Sequence, residues 1–372
     1  MYGLSQEHFA VNPKTEYKVF FAREEEFHRF HNDLIGTMDS GRVPRYVVYG
    51  LFGVGKTHFL LHLSYEIRDK AEPVYIETPS IHRRTSFLEF HRAIVSALGR
   101  RTTIDLLTQG LKKPSKALEL GLSEDTIYVL SNALKEKQHF LLWKFLTGEK
   151  LKAAEADRIE AVRPQLSIEE AVDILNALAI LHERTNRKPL LLLVDEFETT
   201  RHLGGDAKTA FTEAMRSLVD EASRVAVVFA LTARSLAEIP SVIEDEPVRR
   251  RIGITNFIEF RPYEEDLLRK FMKQVIEYRR APKFNIKNAL ASLQANETVD
   301  AESYPFSQEA LKEIVSSVVL FYEQNRIEAV RPKEALDMMD KSLRLAISRK
   351  LPFIGKDTII SVREETVEAL KL

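Results

Sequence analysis

The sequence predicts an α/β fold in which a five-stranded parallel sheet carries a helical insertion and is followed by an all-α C-terminal domain. Three observations predict it: five short apolar runs are typical of buried strands, helical patterns separate most of them, and a glycine-rich loop joins the first run to a helix. Beyond residue 262 only helical patterns remain. We therefore predict two domains, residues 1–262 and residues 263–372.

The five runs are rich in leucine or β-branched residues and lack polar alternation, as strands buried on both faces do. They are Arg45–Tyr49, Pro73–Glu77, Leu190–Asp195, Val225–Thr232 and Phe257–Phe260. Strands that alternate with helices indicate a doubly wound parallel sheet.

Helical periodicity follows the first three runs, over residues 56–69, 85–98 and 207–222. A standard crossover between parallel strands needs only about a dozen residues or more. Residues 99–188 lie before the third strand and look helical throughout, so we predict a helical insertion there. The C-terminal domain is predicted to contain helices over residues 264–278, 283–293, 307–324, 333–349 and 361–371.

The composition restricts the possible functions. The chain has 372 residues, which is enough for two or more domains with large cores. Its 54 Lys and Arg residues balance 55 Asp and Glu residues, so binding to a polyanion would need local basic clusters. The sequence contains no cysteine, which excludes disulfide bonds, zinc–thiolate sites and thiol nucleophiles.

Basic clusters of this kind are present, and they could either contact DNA phosphates or form ordinary solvated faces. They are Arg83-Arg84, Arg100-Arg101, Lys112-Lys113 and Arg279-Arg280. The N-terminus lacks the layout of a signal peptide, and the apolar runs are far shorter than the ~20 residues of a membrane helix. We expect a soluble cytoplasmic protein without a membrane partner.

The loop after the first strand has the spacing of a phosphate-binding loop, because Gly50-x4-Gly55-Lys56-Thr57 follows a strand and opens a helix. Its glycines let backbone N–H groups converge on phosphate oxygens, and the helix N-terminus adds its dipole. Lys56 is predicted to reach the β- and γ-phosphates of ATP, and the Thr57 hydroxyl to bind Mg²⁺. The alternative is a glycine turn of purely geometric importance. The candidate nucleotide-binding residues are Gly50, Gly53, Val54, Gly55, Lys56, Thr57 and His58.

Two acids end the third strand, where Asp195-Glu196 follows a run of leucines and a valine. Beside a phosphate-binding loop, Asp195 is predicted to bind Mg²⁺ and Glu196 to polarise the attacking water. The alternative is a solvated acidic strand end. Adjacent acids suit ATP hydrolysis better than phosphate transfer by a small-molecule kinase, which would also need an acceptor site.

The order of these elements resembles the AAA+ ATPases, and within them the replication-initiator and clamp-loader branch, the origin-recognition ATPases in particular. The resemblance covers roughly residues 10–98 and 188–370, and begins at Phe20–Glu26, which is similar to a segment that those ATPases place near the adenine. It implies a P-loop AAA+ domain followed by a helical lid, with ATP and Mg²⁺ bound.

Thr232 ends the fourth strand where the family has its sensor-1 residue, although a threonine that only caps the strand is an equal alternative. The segment around Arg249, Arg250 and Arg251 looks like the family's arginine-finger region, in which one subunit reaches the γ-phosphate held by another. Alignment on the flanking proline favours Arg251 as the finger and Arg250 second. The alternative is a solvated or DNA-facing basic run.

The segment that begins at Arg331 resembles the start of the family's sensor-2 helix. The family's arginine position corresponds to Lys333, and Arg331 lies two residues earlier, so both residues are candidates. Two features depart from the initiator pattern: the sequence ends shortly after the expected lid, where initiators normally carry a winged-helix domain, and the insertion at 99–188 is not standard for them. The end of the insertion is also similar to ATP-binding proteins of BREX-type phage-defence islands.

Two functional hypotheses follow from the resemblance. In the first, the chain is an oligomeric AAA+ ATPase that binds ATP between subunits and acts on DNA, directly or through partners, in phage defence, transposition or replication control. In the second, it is a nucleotide-dependent signalling switch whose insertion holds an effector protein, and DNA has no part.

Overall fold

The structure is a computed structural model that describes residues 2–80, 86–112, 117–220, 223–324 and 330–370. Contacts between Cα atoms divide the chain into two compact units. We call residues 28–50 with 59–259 the sheet unit, and residues 1–27, 51–58 and 260–372 the helical unit. The division of the chain at residue 262 stays a prediction.

The sheet has five strands in the order β2-β3-β4-β1-β5, and the α/β fold class is confirmed. β1 pairs with β4, β4 with β3 and β3 with β2, in each case in parallel. The strands are β1 Arg45–Gly50, β2 Glu72–Glu77, β3 Leu190–Asp195, β4 Ala226–Thr232 and β5 Phe257–Phe260.

Strands β1 and β3, which flank the central strand β4, are buried along their whole length, which explains their apolar sequences. Edge-to-face and tilted ring contacts join the sheet to the helices that cover it. The rings of Phe197 and Phe229 lie 4.6 Å apart, and Phe211 lies 5.6 Å from Phe87 and 5.7 Å from Phe90. Such contacts add to the burial of large apolar surface in fixing the helices on the sheet.

The predicted insertion is helical. Two of its helices begin at serine N-caps: the Ser123 side chain accepts from the backbone N–H of Thr126, and Ser167 forms a capping box with Glu170. The helices that precede β5 in the chain are α1 Glu24–Asp39, α2 Lys56–Glu66, α3 Ser86–Leu98, α4 Arg100–Gly110, α5 Glu124–Lys135, α6 His139–Leu146, α7 Ala153–Arg158, α8 Ile168–Asn186, α9 Gly205–Leu218, α10 Ser241–Glu244 and α11 Glu246–Ile252. α2 begins in the phosphate-binding loop.

The C-terminal part of the chain is helical, as predicted. Its helices are α12 Glu265–Tyr278, α13 Ile286–Ala291, α14 Gln308–Gln324, α15 Pro332–Ser348 and α16 Lys356–Leu370. The prediction began the last helix at residue 361, whereas α16 begins at Lys356, directly after Gly355. Within the part of the chain that the structure describes, no helix is long and apolar enough to cross a bilayer.

N-terminal residues contribute to the core of the helical unit, which the sequence alone did not indicate. Phe9 and Phe306 pack edge to face at 5.6 Å, and both are fully buried. The Arg279 side chain, 2% exposed, donates to the Ala10 carbonyl at 2.5 Å and forms an ion pair with Glu16. Arg279 is therefore unavailable as a DNA contact. The cluster Arg83-Arg84 and Lys113 lie outside the described residues.

Candidate functional site

The carboxyl edge of the sheet brings together three predicted site residues of the sheet unit. Gly50 ends β1 and is paired in register with Thr232 at the end of β4. β3 lies on the other side of β4 and ends at Asp195. In parallel sheets ligands bind outside the carboxyl ends of the strands. The phosphate-binding loop starts at the next residue after Gly50.

Asp195 is only 3% exposed and is held by four hydrogen bonds. One carboxylate oxygen, Oδ1, accepts the backbone N–H of Glu196 at 2.9 Å, and the other, Oδ2, accepts the Tyr75 hydroxyl at 3.0 Å. Its carbonyl oxygen accepts from both the backbone N–H and the hydroxyl of Thr78, at 2.9 and 2.7 Å. Burial and the neighbouring Asp195 charge raise the pKa of Tyr75, so its hydroxyl stays protonated as a donor.

Glu196 leaves the strand in a left-handed conformation, with φ 55° and ψ 35°. This conformation is uncommon for residues other than glycine and is found most often where function requires a particular direction of the chain. A 3-10 turn, Phe197–His202, follows directly. Arg201 in this turn donates to the carbonyl oxygen of Thr232 at 2.6 Å and also to that of Glu238. The turn that carries Glu196 is thereby fastened to the end of β4.

The phosphate-binding loop has the backbone that its sequence predicts. Gly53 and Gly55 have φ values of +84° and +101°, where other residues are strained. Val54 is fully buried, and the Lys56 ammonium group donates to the carbonyl oxygen of Leu51 at 2.9 Å. Thr57 is the second residue of α2, so its backbone N–H belongs to the helix N-terminus.

An aromatic cluster lies next to the end of this loop within the helical unit. The His58 ring is 5.5 Å from the Phe20 ring and 6.2 Å from the Phe21 ring. Arg23, 2% exposed, lies 4.8 Å from the Tyr263 ring centroid and donates to the Arg261 carbonyl. The segment that the sequence assigned to the adenine side is therefore packed against the last residue of the loop.

The structure distinguishes the two sensor-2 candidates. The Arg331 guanidinium group lies 5.1 Å from the centroid of the Phe52 ring, and a Cβ on Gly53 would lie 2.7 Å from Arg331 Cδ. Arg331 thus packs on the phosphate-binding loop, whereas Lys333 is exposed in the first turn of α15. Tyr322 and Glu334 lie on the neighbouring helices, and burial and the carboxylate raise the pKa of Tyr322.

The three arginines at the end of α11 differ in their surroundings. Arg251 forms an ion pair with Asp220, with a distance of 2.7 Å between Nη2 and Oδ2, and its side chain is 23% exposed. Arg249 and Arg250 are exposed. The residue that the sequence favoured as the finger is therefore already bound within its own chain, and its two neighbours are accessible.

Several side chains at the site gave no recognisable signal in the sequence. Tyr75 and Thr78 reach Asp195 from β2, and Arg201 reaches the end of β4, so each contact depends on which strands are neighbours. Phe52 stands out only as an aromatic residue inside the glycine-rich loop, and its side chain is 67% exposed.

The residues present fit a magnesium–nucleotide complex. Gly53 and Gly55 have main-chain conformations in which N–H groups can converge on an anion. Asp195 and Thr57 each carry a hard oxygen of the kind that Mg²⁺ prefers. Among the described residues, no group of three or more His, Asp or Glu side chains is arranged to hold a metal ion by itself.

A family model described as an AAA ATPase domain matches residues 19–230 of the chain. No curated protein matches it. Two solved structures of 12 and 14% sequence identity share its fold. The chain spans 64 to 67% of the length of the solved structures described next.

Two of these structures have TM-scores of at least 0.50. The Aeropyrum pernix ORC2 protein in its ADPNP–ADP complexes is 12% identical, with a TM-score of 0.51, over 92% of this chain and 67% of that chain. Drosophila ORC bound to DNA is 14% identical, with a TM-score of 0.50, over 97% of this chain and 64% of that chain. The Aeropyrum pernix ORC1 protein in complex with DNA has a TM-score of 0.44 and 16% identity, over 94% of this chain and 66% of that chain. These likenesses concern the fold alone.

Proposed function

The chain belongs to the AAA ATPase domain family, and from that premise we propose that it hydrolyses ATP at sites completed by a second copy and acts on DNA, directly or through partners. The observation that carries the ATPase part lies in the sheet: β1, which ends at the first glycine of the phosphate-binding motif, and β3, which ends at Asp195 before Glu196, have their carboxyl ends at the same edge. The coarser conclusion, an AAA-type nucleotide-binding fold, follows from the family itself.

Each residue has a distinct task in this proposal. Lys56 and the backbone N–H groups of the loop bind the phosphates, and Thr57 with Asp195 holds the metal ion. Mg²⁺, when bound, neutralises phosphate charge. Glu196 orients and deprotonates the attacking water, and the turn fastened by Arg201 keeps it at the strand end.

Thr232 and Arg331 are proposed to detect the γ-phosphate. The Arg331 guanidinium group lies over Phe52 and can exchange this cation–π contact for a phosphate. Lys333 is exposed and remains the second candidate. Arginine suits the task because its planar group binds phosphate oxygens through two parallel hydrogen bonds.

Assembly is proposed to supply an arginine in trans. Arg250 and Arg249 are accessible, and Arg251 would have to exchange its ion pair with Asp220 for a phosphate in another subunit. A finger in trans stabilises charge in the transition state and is worth about 10³-fold or more in turnover. Hydrolysis would then depend on protein concentration.

Mixing two inactive variants tests the shared site. Lys56→Ala removes phosphate binding but keeps the arginines, and Arg250→Ala removes the exposed arginine but keeps the loop. We expect each to be inactive alone and the mixture to regain part of the turnover. Mixtures of Lys56→Ala with Arg249→Ala and with Arg251→Ala identify the finger among the three. Assembly would be contradicted if no mixture regained ATP turnover and if light scattering showed that the wild-type chain is a monomer in the presence of ATP.

The action on DNA is tested separately, by measuring ATP turnover with duplex and with single-stranded DNA at increasing salt. Stimulation that disappears as the salt concentration rises supports direct binding through phosphate contacts.

The second candidate is a switch that holds an effector protein through the insertion. It is favoured by exposed apolar side chains there: Phe140 is 61% exposed, Val162 74% and Tyr128 55%. Two results together would favour this function over the first. ATP turnover would be the same with and without either form of DNA. The wild-type chain would also capture a protein in a nucleotide-dependent way, and the double variant with Phe140→Ser and Val162→Ser would not.

A further inference from the structure

We propose that Tyr75 is a positioning residue for the metal-binding carboxylate: its hydroxyl holds Asp195 in the orientation that receives Mg²⁺. This inference rests on the proposed ATPase function. The contact between the Tyr75 hydroxyl and Asp195 Oδ2, 3.0 Å long, carries it.

The register of the sheet explains why these two residues meet. Tyr75 on β2 is paired with Leu193 on β3, and Asp195 is two residues further along β3. Residues two apart on a strand share a face, so Asp195 is the diagonal neighbour of Tyr75. A diagonal pair is too far apart for short side chains but is within the reach of an aromatic one. A serine or threonine at position 75 could not make this contact.

The surrounding donors hold both the carboxylate and the main-chain carbonyl group of Asp195. The backbone N–H of Glu196 occupies one lone pair of Oδ1, and Tyr75 occupies one lone pair of Oδ2. Two donors on opposite oxygens set the plane of the carboxylate. Each oxygen keeps a second lone pair, which is available to a metal ion or its water. Thr78 holds the main chain at the same point through the Asp195 carbonyl.

Loss of the hydroxyl would leave the carboxylate free to turn about its side-chain bonds. Only one donor to the carboxylate, the Glu196 N–H, would remain. Mg²⁺ binding would then have to restore the carboxylate orientation as well, so the affinity for Mg²⁺ would fall. A net hydrogen bond of this kind corresponds to a change of about 3- to 10-fold in an equilibrium constant.

The sheet contains a matched control. The Tyr46 hydroxyl donates to Asp33 Oδ2 at 2.6 Å, so Tyr46 makes the same kind of contact from a strand of the same sheet. Tyr46 is near the beginning of β1, and neither Tyr46 nor Asp33 belongs to the proposed site. Tyr46→Phe therefore removes a part-buried tyrosine–carboxylate contact without touching Asp195.

The test is the affinity of the full chain for a fluorescent, non-hydrolysable ATP analogue, measured over a range of Mg²⁺ concentrations. We expect Tyr75→Phe to raise the half-saturating Mg²⁺ concentration about 3- to 10-fold. The affinity in EDTA should be unchanged, and Tyr46→Phe should match wild type in both measurements. In an Asp195→Ala background, Tyr75→Phe should add nothing.

Two results would overturn the inference: an unchanged Mg²⁺ requirement in Tyr75→Phe, or an equal shift with and without Asp195. Thermal unfolding of each variant separates these outcomes from a loss of the fold. Should Tyr75→Phe be unfolded, Tyr75→Leu, which also removes the hydroxyl, is measured instead, and the same rise of about 3- to 10-fold is expected. A wild-type chain whose nucleotide affinity does not depend on Mg²⁺ would contradict the proposed function itself.

Discussion

Gly53→Ala tests how Arg331 is packed on the phosphate-binding loop. At a φ of +84° an alanine is strained by about 2 kcal/mol. Its Cβ would also lie 2.7 Å from Arg331 Cδ and 2.8 Å from Cγ, so Arg331 must leave the Phe52 ring. That loses a cation–π contact of about 0.5–1 kcal/mol. The total, about 2.5–3 kcal/mol, is the expected fall in the free energy of unfolding.

The assay is chemical denaturation, repeated in an Arg331→Ala background. There the strain remains but the collision and the cation–π contact do not, so Gly53→Ala should lower the free energy of unfolding by about 0.5–1 kcal/mol less than in wild type. Gly55→Ala is the control, because its φ is +101° and its Cβ would meet only the Tyr263 hydroxyl, at 3.9 Å. Its cost should be the same in both backgrounds. An equal cost for Gly53→Ala in both backgrounds would refute the packing of Arg331 on the loop.

Three further predictions concern ion pairs and the turn after β3. Glu16→Gln leaves the buried Arg279 charge unpaired and should lower the free energy of unfolding by about 3 kcal/mol in chemical denaturation. Arg201→Lys, which cannot hold both carbonyl oxygens in one plane, should reduce ATP turnover about 10-fold without changing the affinity for ATP. Arg251→Ala breaks the half-exposed pair with Asp220, so the free energy of unfolding should fall by only about 0.5–1 kcal/mol.

The effect of Glu16 has a defined pH dependence. Burial alone would raise the pKa of Glu16, but the hydrogen bond and charge of Arg279 outweigh it and lower this pKa below the usual 4.5. A lowered pKa stabilises the fold above 4.5, and the stabilisation is lost as the pH falls through the folded-state value. The difference between wild type and Glu16→Gln should therefore shrink below pH 4.5.

Each of these predictions has a control or a contrary outcome. Glu302→Gln breaks the exposed pair with Lys273 and should cost about 1 kcal/mol or less. A cost for Glu16→Gln as small as this, at neutral pH, would contradict burial of the Arg279 charge. If Arg201→Lys weakened ATP binding rather than turnover, Arg201 would not act through Glu196. If Arg251→Ala lowered the free energy of unfolding as much as Glu16→Gln, the small contribution expected of the partly exposed pair with Asp220 would be contradicted.

Local patterns allowed the phosphate-binding loop and the strands to be predicted from the sequence. The loop motif spans eight residues, and its glycines and Lys56-Thr57 specify their own backbone. The strands could be found because burial on both faces leaves continuous apolar runs, and the predicted ends agree with the structure to within a residue. Short helices such as α10 and α11 were not predicted, because each has too few residues to show a period.

Contacts between distant residues could not be predicted in this way. The meeting of Tyr75 with Asp195 depends on β2 lying beside β3, and the whole insertion separates them in the sequence. The burial of Arg279 against Glu16 depends on N-terminal residues packing in the helical unit. Spacing also could not predict that Arg331, and not Lys333, packs on the loop, because this depends on which of the two residues faces it.

The central claim is that this chain hydrolyses ATP with Glu196 as the residue that activates water. A single-turnover measurement with radiolabelled ATP, at equal occupancy of wild type and Glu196→Gln, tests it most directly. We predict that Glu196→Gln binds ATP as tightly as wild type and hydrolyses it at least about 100-fold more slowly. Hydrolysis by Glu196→Gln at the wild-type rate would contradict the claim.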